Sequence, residues 1–208
     1  MGLLSKFFSN TRKPEGFFGK MMVWGMNGGS HAAMASWGLD KIAVPKEGKI
    51  LDIGCGGGAN VGRLLSESGG AHVTGVDYSP VSVSKSSKVN AKAIKEGKCR
   101  ILEANVASLP FDEGEFALAT AFETVYFWPD IVRNFSEVRR VLSDGGLFLI
   151  VNEDDGLTGN NVKWEKMIEG MHTYTPTELE KHLIEAGFHD VKVYPDEKHH
   201  WLAVSARK

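Results

Sequence analysis

Cysteine is scarce in this sequence. Only Cys55 and Cys99 occur, too far apart for a local CxxC pair, which leaves no disulfide framework or metal knuckle and makes a reducing cytoplasm the simplest setting. Charge of one sign is missing too: a formal net charge of −2 gives no basic stripe for nucleic acid or an anionic membrane. No apolar run approaches the ~20 residues that span a bilayer. The apolar start, "MGLLSKFFSNTRKPEGFF", is interrupted by Lys6 before a signal-peptide core forms, and Lys6 also stands where a myristoylation signal needs Ser or Thr. No His, Cys, Asp or Glu spacing typical of a metal site is present, so no metal is expected. What remains is ordinary globular composition, 42% hydrophobic and 24% charged, in 208 residues that suffice for one well-cored domain.

Along that chain, strand-like and helix-like segments alternate from about residue 49. Strands are predicted at 49–55, 71–79, 99–109, 116–127 and 145–153, with two more in "DVKVYP" and "HWLAVSARK". Helices are predicted at 59–68, where Val61, Leu64 and Leu65 share a face, from Pro80 to about Lys95, and after Asp130, with Ile131, Phe135, Val138 and Leu142 on one face. The helix at 175–188 carries its own signposts: a Thr175/Glu178 capping box, Pro176 in the first turn and Gly187 past the end. Alternation of this kind means a mostly parallel sheet covered on both faces, with ligands bound beyond the carboxyl ends of the strands.

At the end of the first strand stands "LDIGCGGGAN" (51–60), four glycines in ten positions. A strand turning directly into a helix offers free N–H groups and the positive end of a dipole, and glycines let a ligand touch the main chain. Asp77 ends the next strand, where a carboxylate can grip ribose hydroxyls. Together they predict a nucleoside-bearing cofactor. Gly54, Gly56 and Ala59 satisfy the dinucleotide fingerprint, so an NAD-dependent oxidoreductase is one reading. Its catalytic Tyr-x-x-x-Lys would have to be Tyr194–Lys198, where Pro195 argues against the required helix.

The tighter description is Asp52-x-Gly54-x-Gly56-x-Gly58, with the acid inside the strand. With "VDYSP" (76–80), "EANVASLPF" (103–111), "FALATAFETVYFWPD" (116–130) and "EVRRVLSDGGLFLIVNE" (137–153), it resembles the class I S-adenosylmethionine (SAM)-dependent methyltransferases of the small-molecule branch. The resemblance covers roughly residues 45–155. It implies a Rossmann-like, doubly wound α/β fold: a mostly parallel seven-stranded sheet with an antiparallel terminal strand and helices on both faces. It implies SAM as cofactor, S-adenosylhomocysteine as product, and methyl transfer to a small molecule by in-line displacement. By the same resemblance Asp52, Gly54, Gly56 and Gly58 wall the methionine half, with Cys55 contributing backbone only. Asp77 takes the ribose, Tyr78 lies against adenine, and Val106 offers it an N–H. Asn105 stands where the family often has aspartate, and its oxygen can accept the same adenine bond.

The stretch "AFETVYFW" leaves the fourth strand and should face the transferable methyl. Phe122 is expected on the methionine portion, and Glu123 on its ammonium or on the acceptor. Tyr126, Phe127 and Trp128 are expected around the acceptor, with core packing the plainer alternative for the last two. His31, Glu123 and Tyr126 are the candidates for orienting the acceptor or removing its proton. Residues 1–44 read as an N-terminal helical lid, with Met26 as a substrate contact and His31 after a flexible "NGGS". Residues 45–208 read as the core. Within it, 154–176 is a candidate substrate cap bearing Trp164, Met167, Met171, His172 and Tyr174, because the connection is far longer than usual. His199 and His200 read as surface residues. The remaining rival is a SAM-binding module without catalysis. Assembly as monomer or homodimer stays open.

Overall fold

A computed structural model of the chain describes residues 30–159 and 161–208. Seven strands form one sheet: β1 (Lys49–Ile53), β2 (His72–Asp77), β3 (Cys99–Glu103), β4 (Phe116–Phe122), β5 (Leu142–Asn152), β6 (His189–Asp196) and β7 (Trp201–Arg207). Their order is β3-β2-β1-β4-β5-β7-β6. The first five strands are mutually parallel, and β7 runs antiparallel to both β5 and β6. The order reverses between β1 and β4, and a crevice opens beyond strand ends that part there.

Apolar side chains alternate between the two faces, as the pleat requires. On β5, Phe148 and Ile150 join one core with Leu51, Phe135, Leu179 and Leu183, while Leu149 and Val151 join the other with Ile50, Val61, Leu64 and Leu118. Burying each such side chain contributes roughly 1.5–3 kcal/mol, so both faces need cover. The helices supply it: α1 (Ser30–Leu39), α2 (Ala59–Ser68), α3 (Pro80–Val89), α4 (Ala91–Lys95), α5 (Ile131–Val141), α6 (Asn161–Met167) and α7 (Pro176–Glu185). No helix among the described residues is long and apolar enough to cross a membrane.

Several local expectations are met in atomic detail. Thr175 and Glu178 form the full capping box of α7. Asp130 caps α5 from a left-handed backbone, φ 49°, its carboxylate accepting from the Arg133 N–H. Others change. The helix expected to run unbroken to Lys95 divides at Asn90, whose amide donates to the carbonyls of Ser86 and Gly58. The third strand stops at Glu103 because Asn105 turns the chain, its Oδ1 accepting from the Ala107 N–H at 3.0 Å. The fourth stops at Phe122, since Glu123 at φ 61° cannot continue a strand and Val125–Phe127 form a 3-10 turn.

The lid expected over 1–44 lies outside the described residues up to residue 29. From residue 30 the described chain packs on the sheet through α1. Met34, Ala35 and Leu39 of α1 are buried in one cluster with Ile50, Leu149 and Val151.

Candidate cofactor site

The glycine loop joins β1 to α2 and closes onto β2. The N–H groups of Gly54 and Cys55 both donate to the Val76 carbonyl, at 2.8 and 2.9 Å. All three motif glycines have left-handed φ, at 75°, 50° and 82° for Gly54, Gly56 and Gly58. Their surroundings separate them. A Cβ at Gly54 would lie 2.3 Å from Thr124 Cγ2, and one at Gly58 would lie 2.5 Å from Ser86 Oγ. At Gly56 a Cβ would meet nothing nearer than a carbonyl at 4.0 Å, because that face opens on the cavity. Two glycines serve internal packing, and Gly56 keeps the wall bare.

Asp77 fixes this bare wall. Its Oδ2 accepts from the Gly56 N–H and its Oδ1 from the Ser79 N–H, each at 2.9 Å. It lines the cavity yet is only 7% exposed, and burial raises its carboxyl above the ordinary range while those two N–H groups pull it back. Tyr78, Asn105, Val106, Phe122, Glu123, Phe127 and Trp128 line the same cavity. Trp128 also belongs to the core, stacked on Phe148 at 6.3 Å, so cavity wall and core packing are here one surface. Ser82, Ala104, Thr124 and Pro129 line the cavity as well and bore no distinguishing mark in the sequence. An adjoining cavity, lined by His31, Cys55, Asn60 and Arg63, shares Gly54, Gly56, Phe122 and Glu123 with the first.

Four sets of candidate residues stand away from the lining of the two cavities. Asp52 lines neither cavity: it is 1% exposed inside β1, its Oδ1 accepting from Thr120 Oγ1 at 2.9 Å. Its Oδ2 has no partner among the described residues, and burial pushes the carboxyl up to about 7. Gly58 likewise lies off both walls, held against α3. Tyr126 is buried behind the cavity, its hydroxyl donating to Glu123 Oε1 at 3.3 Å and accepting from the Asp154 N–H. The cap residues Trp164, Met167, Met171, His172 and Tyr174 line neither cavity. Tyr174 is a core side chain, and Trp164 is 40% exposed on α6. Met26 lies outside the described residues.

Glu123 is the pivot of the acceptor end. Its left-handed backbone turns the side chain back, where Oε1 accepts from Tyr126 and from the Glu153 N–H. Oε2 points toward His31 Nδ1 at 3.6 Å. The side chain is 18% exposed, and burial reinforced by the Glu153 charge pushes its carboxyl up to about 8.

A methyltransferase-domain profile matches residues 51–150, from the middle of β1 through most of β5. That segment is similar to the methyltransferase-domain family. A 24-methylenesterol C-methyltransferase of Arabidopsis thaliana is 34% identical over 119 residues, which cover 57% of this chain and 32% of that protein. The chloroplastic tocopherol O-methyltransferase of the same plant is 31% identical over 112 residues, 54% of this chain and 32% of its own. The chain thus spans about a third of the length of the curated relatives it matches. A SAM-dependent methyltransferase from Aquifex aeolicus shares the fold at a TM-score of 0.76 and 16% identity, covering 90% of this chain and 97% of its own. Geranyl diphosphate C-methyltransferase from Streptomyces coelicolor A3(2), crystallised with Mg2+, geranyl diphosphate and S-adenosyl-L-homocysteine, does so at 0.69 and 15%, covering 85% and 78%.

Proposed function

We propose that the methyltransferase domain binds SAM in the cavity beneath Asp77 and transfers its methyl group to a small-molecule acceptor. One observation carries the reading: a cavity wall left bare at Gly56, with a buried carboxylate clamped by that same residue's N–H. Both Asp77 oxygens keep a lone pair beyond the backbone bond each accepts, which suits two vicinal ribose hydroxyls. Asn105 Oδ1 accepts from Ala107 and retains a second lone pair for the adenine amino group. Tyr78 and Val106 flank the ring position, and Phe122 with the loop takes the methionine portion.

When bound, SAM supplies an electrophilic methyl on a sulfonium, and no acid–base pair is obligatory for its transfer. The chain's part is to position and desolvate. Phe127 and Trp128 offer aromatic faces toward the methyl side, and Glu123 with His31 orients the acceptor or takes its proton. Tyr126 acts through Glu123, by holding its Oε1. The sterol and tocopherol relatives support a small acceptor. Scarce cysteine and a net charge of −2 support a reducing cytoplasm and no nucleic-acid partner, with the chain working as a monomer or homodimer.

The test is calorimetric titration with S-adenosylhomocysteine, with NAD as control ligand, followed by SAM and a panel of small acceptors read by product mass. Saturable homocysteine-product binding, none for NAD, and a mass gain of one methyl group on an acceptor are the expected results. NAD binding in its place overturns the reading. Product binding without turnover on any acceptor favours the non-catalytic module.

A further inference from the structure

Three side chains that lie far apart in sequence converge around Glu123, which stands on the wall shared by the two cavities. His31 reaches in from α1, Glu123 from the end of β4 and Glu153 from the end of β5. His31 Nδ1 stands 3.6 Å from Glu123 Oε2 and 4.0 Å from Glu153 Oε2, and one ligand atom from each of the three lies within 4.8 Å of the others. We propose that these residues form a divalent-cation site at the acceptor mouth, taking Zn2+, Mn2+ or a similar first-row ion.

Several observations carry it. The donor set is one imidazole nitrogen and two carboxylate oxygens, the mixed N/O chemistry that such ions favour. Bonds of about 2.0–2.2 Å put neighbouring ligands of one ion roughly 3–3.5 Å apart, so the observed spacings need only a small contraction. His31 and Glu153 are 35% and 45% exposed and free to make it. Glu123 is not free, and that favours the site. Its Oε1 is held by the Tyr126 hydroxyl and the Glu153 N–H, while Oε2 accepts no hydrogen bond among the described residues and faces the point of convergence. A ligand carboxylate oriented through its other oxygen is the usual outer-shell arrangement. Among the described residues no lysine or arginine is within ion-pair range of either glutamate, so no fixed side-chain cation competes for these carboxylates.

Three protein ligands leave coordination positions open, and Glu123 puts them on the cavity. The open positions would take a hydroxyl or carboxylate oxygen of the acceptor. This role rests on the proposed methyl transfer. The metal site itself does not.

The full chain, stripped with EDTA, is titrated with Co2+ and followed by its visible absorption, then with Zn2+ and Mn2+ by calorimetry, without SAM or acceptor. One equivalent should bind. His31→Ala and Glu153→Gln should each weaken binding at least tenfold, Tyr126→Phe by roughly tenfold through the outer shell, and His200→Ala not at all. S-adenosylhomocysteine binding and melting temperature, measured in parallel, show that each variant is folded and that the cofactor cavity survives. Failure of that second measurement strikes the methyl-transfer reading and leaves the cation site standing. No saturable binding below millimolar ion, or binding indifferent to His31→Ala and Glu153→Gln, overturns the site.

Discussion

The two halves of the crevice differ in the donors that hold them. On the β1–β2 side every one of these donors is a main-chain N–H: Gly54 and Cys55 to the Val76 carbonyl, Gly56 and Ser79 to the Asp77 carboxylate. On the β4–β5 side, side-chain hydroxyls join a main-chain donor: the Tyr126 hydroxyl and the Glu153 N–H hold Glu123, and Thr124 Oγ1 reaches across to the Ile53 carbonyl. A backbone-lined wall recognises a constant ligand and tolerates few residue types. A side-chain-lined wall can be re-specified for a different acceptor one residue at a time, which suits a fold that hosts many substrates.

The largest expected break in that comparison is on the second side but outside the cavity. Tyr174→Ala removes a buried ring from the core and should cost about 3–5 kcal/mol in urea unfolding, with S-adenosylhomocysteine affinity retained below the transition. Asp77→Ala strikes the first side. It removes an acceptor of two backbone N–H groups and the ribose grip together, and should weaken homocysteine-product binding about 100-fold by calorimetry.

The glycines sharpen the contrast. Gly54→Ala drives a Cβ into Thr124 and should lose about 1–3 kcal/mol of stability. Gly56→Ala meets no such neighbour and should cost less stability, yet lose about tenfold or more in product affinity, since its methyl fills ligand space.

A pH-dependent effect is expected from Asp52, whose carboxyl is pushed by burial from 3.8 up to about 7 in the folded protein. The unfolded chain releases that proton first, so ligand-free stability should fall as pH rises from about 4 to 7 and level off above. Asp52→Asn keeps an oxygen for Thr120 and should remove this part of the slope, measured by thermal melts across that range. Smallest of all, Trp164→Ala on α6 should change stability by no more than about 0.5 kcal/mol and leave product affinity unaltered. A large loss would return Trp164 to the site.

How far the sequence reaches follows the same division. The strand pattern, the capping box of α7, the cap at Asp130 and the cofactor residues on the cavity were legible because each depends on neighbours close in the chain. A motif gives spacing, and only packing tells which of its members stand on the cavity: Gly54 and Gly56 do, while Asp52 and Gly58 lie behind it. The segment 154–176 misled in the other direction. Its length and its methionine and aromatic content are those of a cap, but Tyr174 turns inward beside Leu179 and Leu183.

By itself the sequence determined an alternating α/β chain, a glycine-rich turn after the first strand and an acid ending the second, since periodicity, capping and φ preference act over a few residues. Tertiary structure alone decided that Gly56 is the bare wall, that Tyr126 stands behind Glu123, and that His31, Glu123 and Glu153 meet. Those facts depend on the order in which parallel strands lie side by side, and strand order brings residues 31, 123 and 153 within ångströms where the chain keeps them far apart.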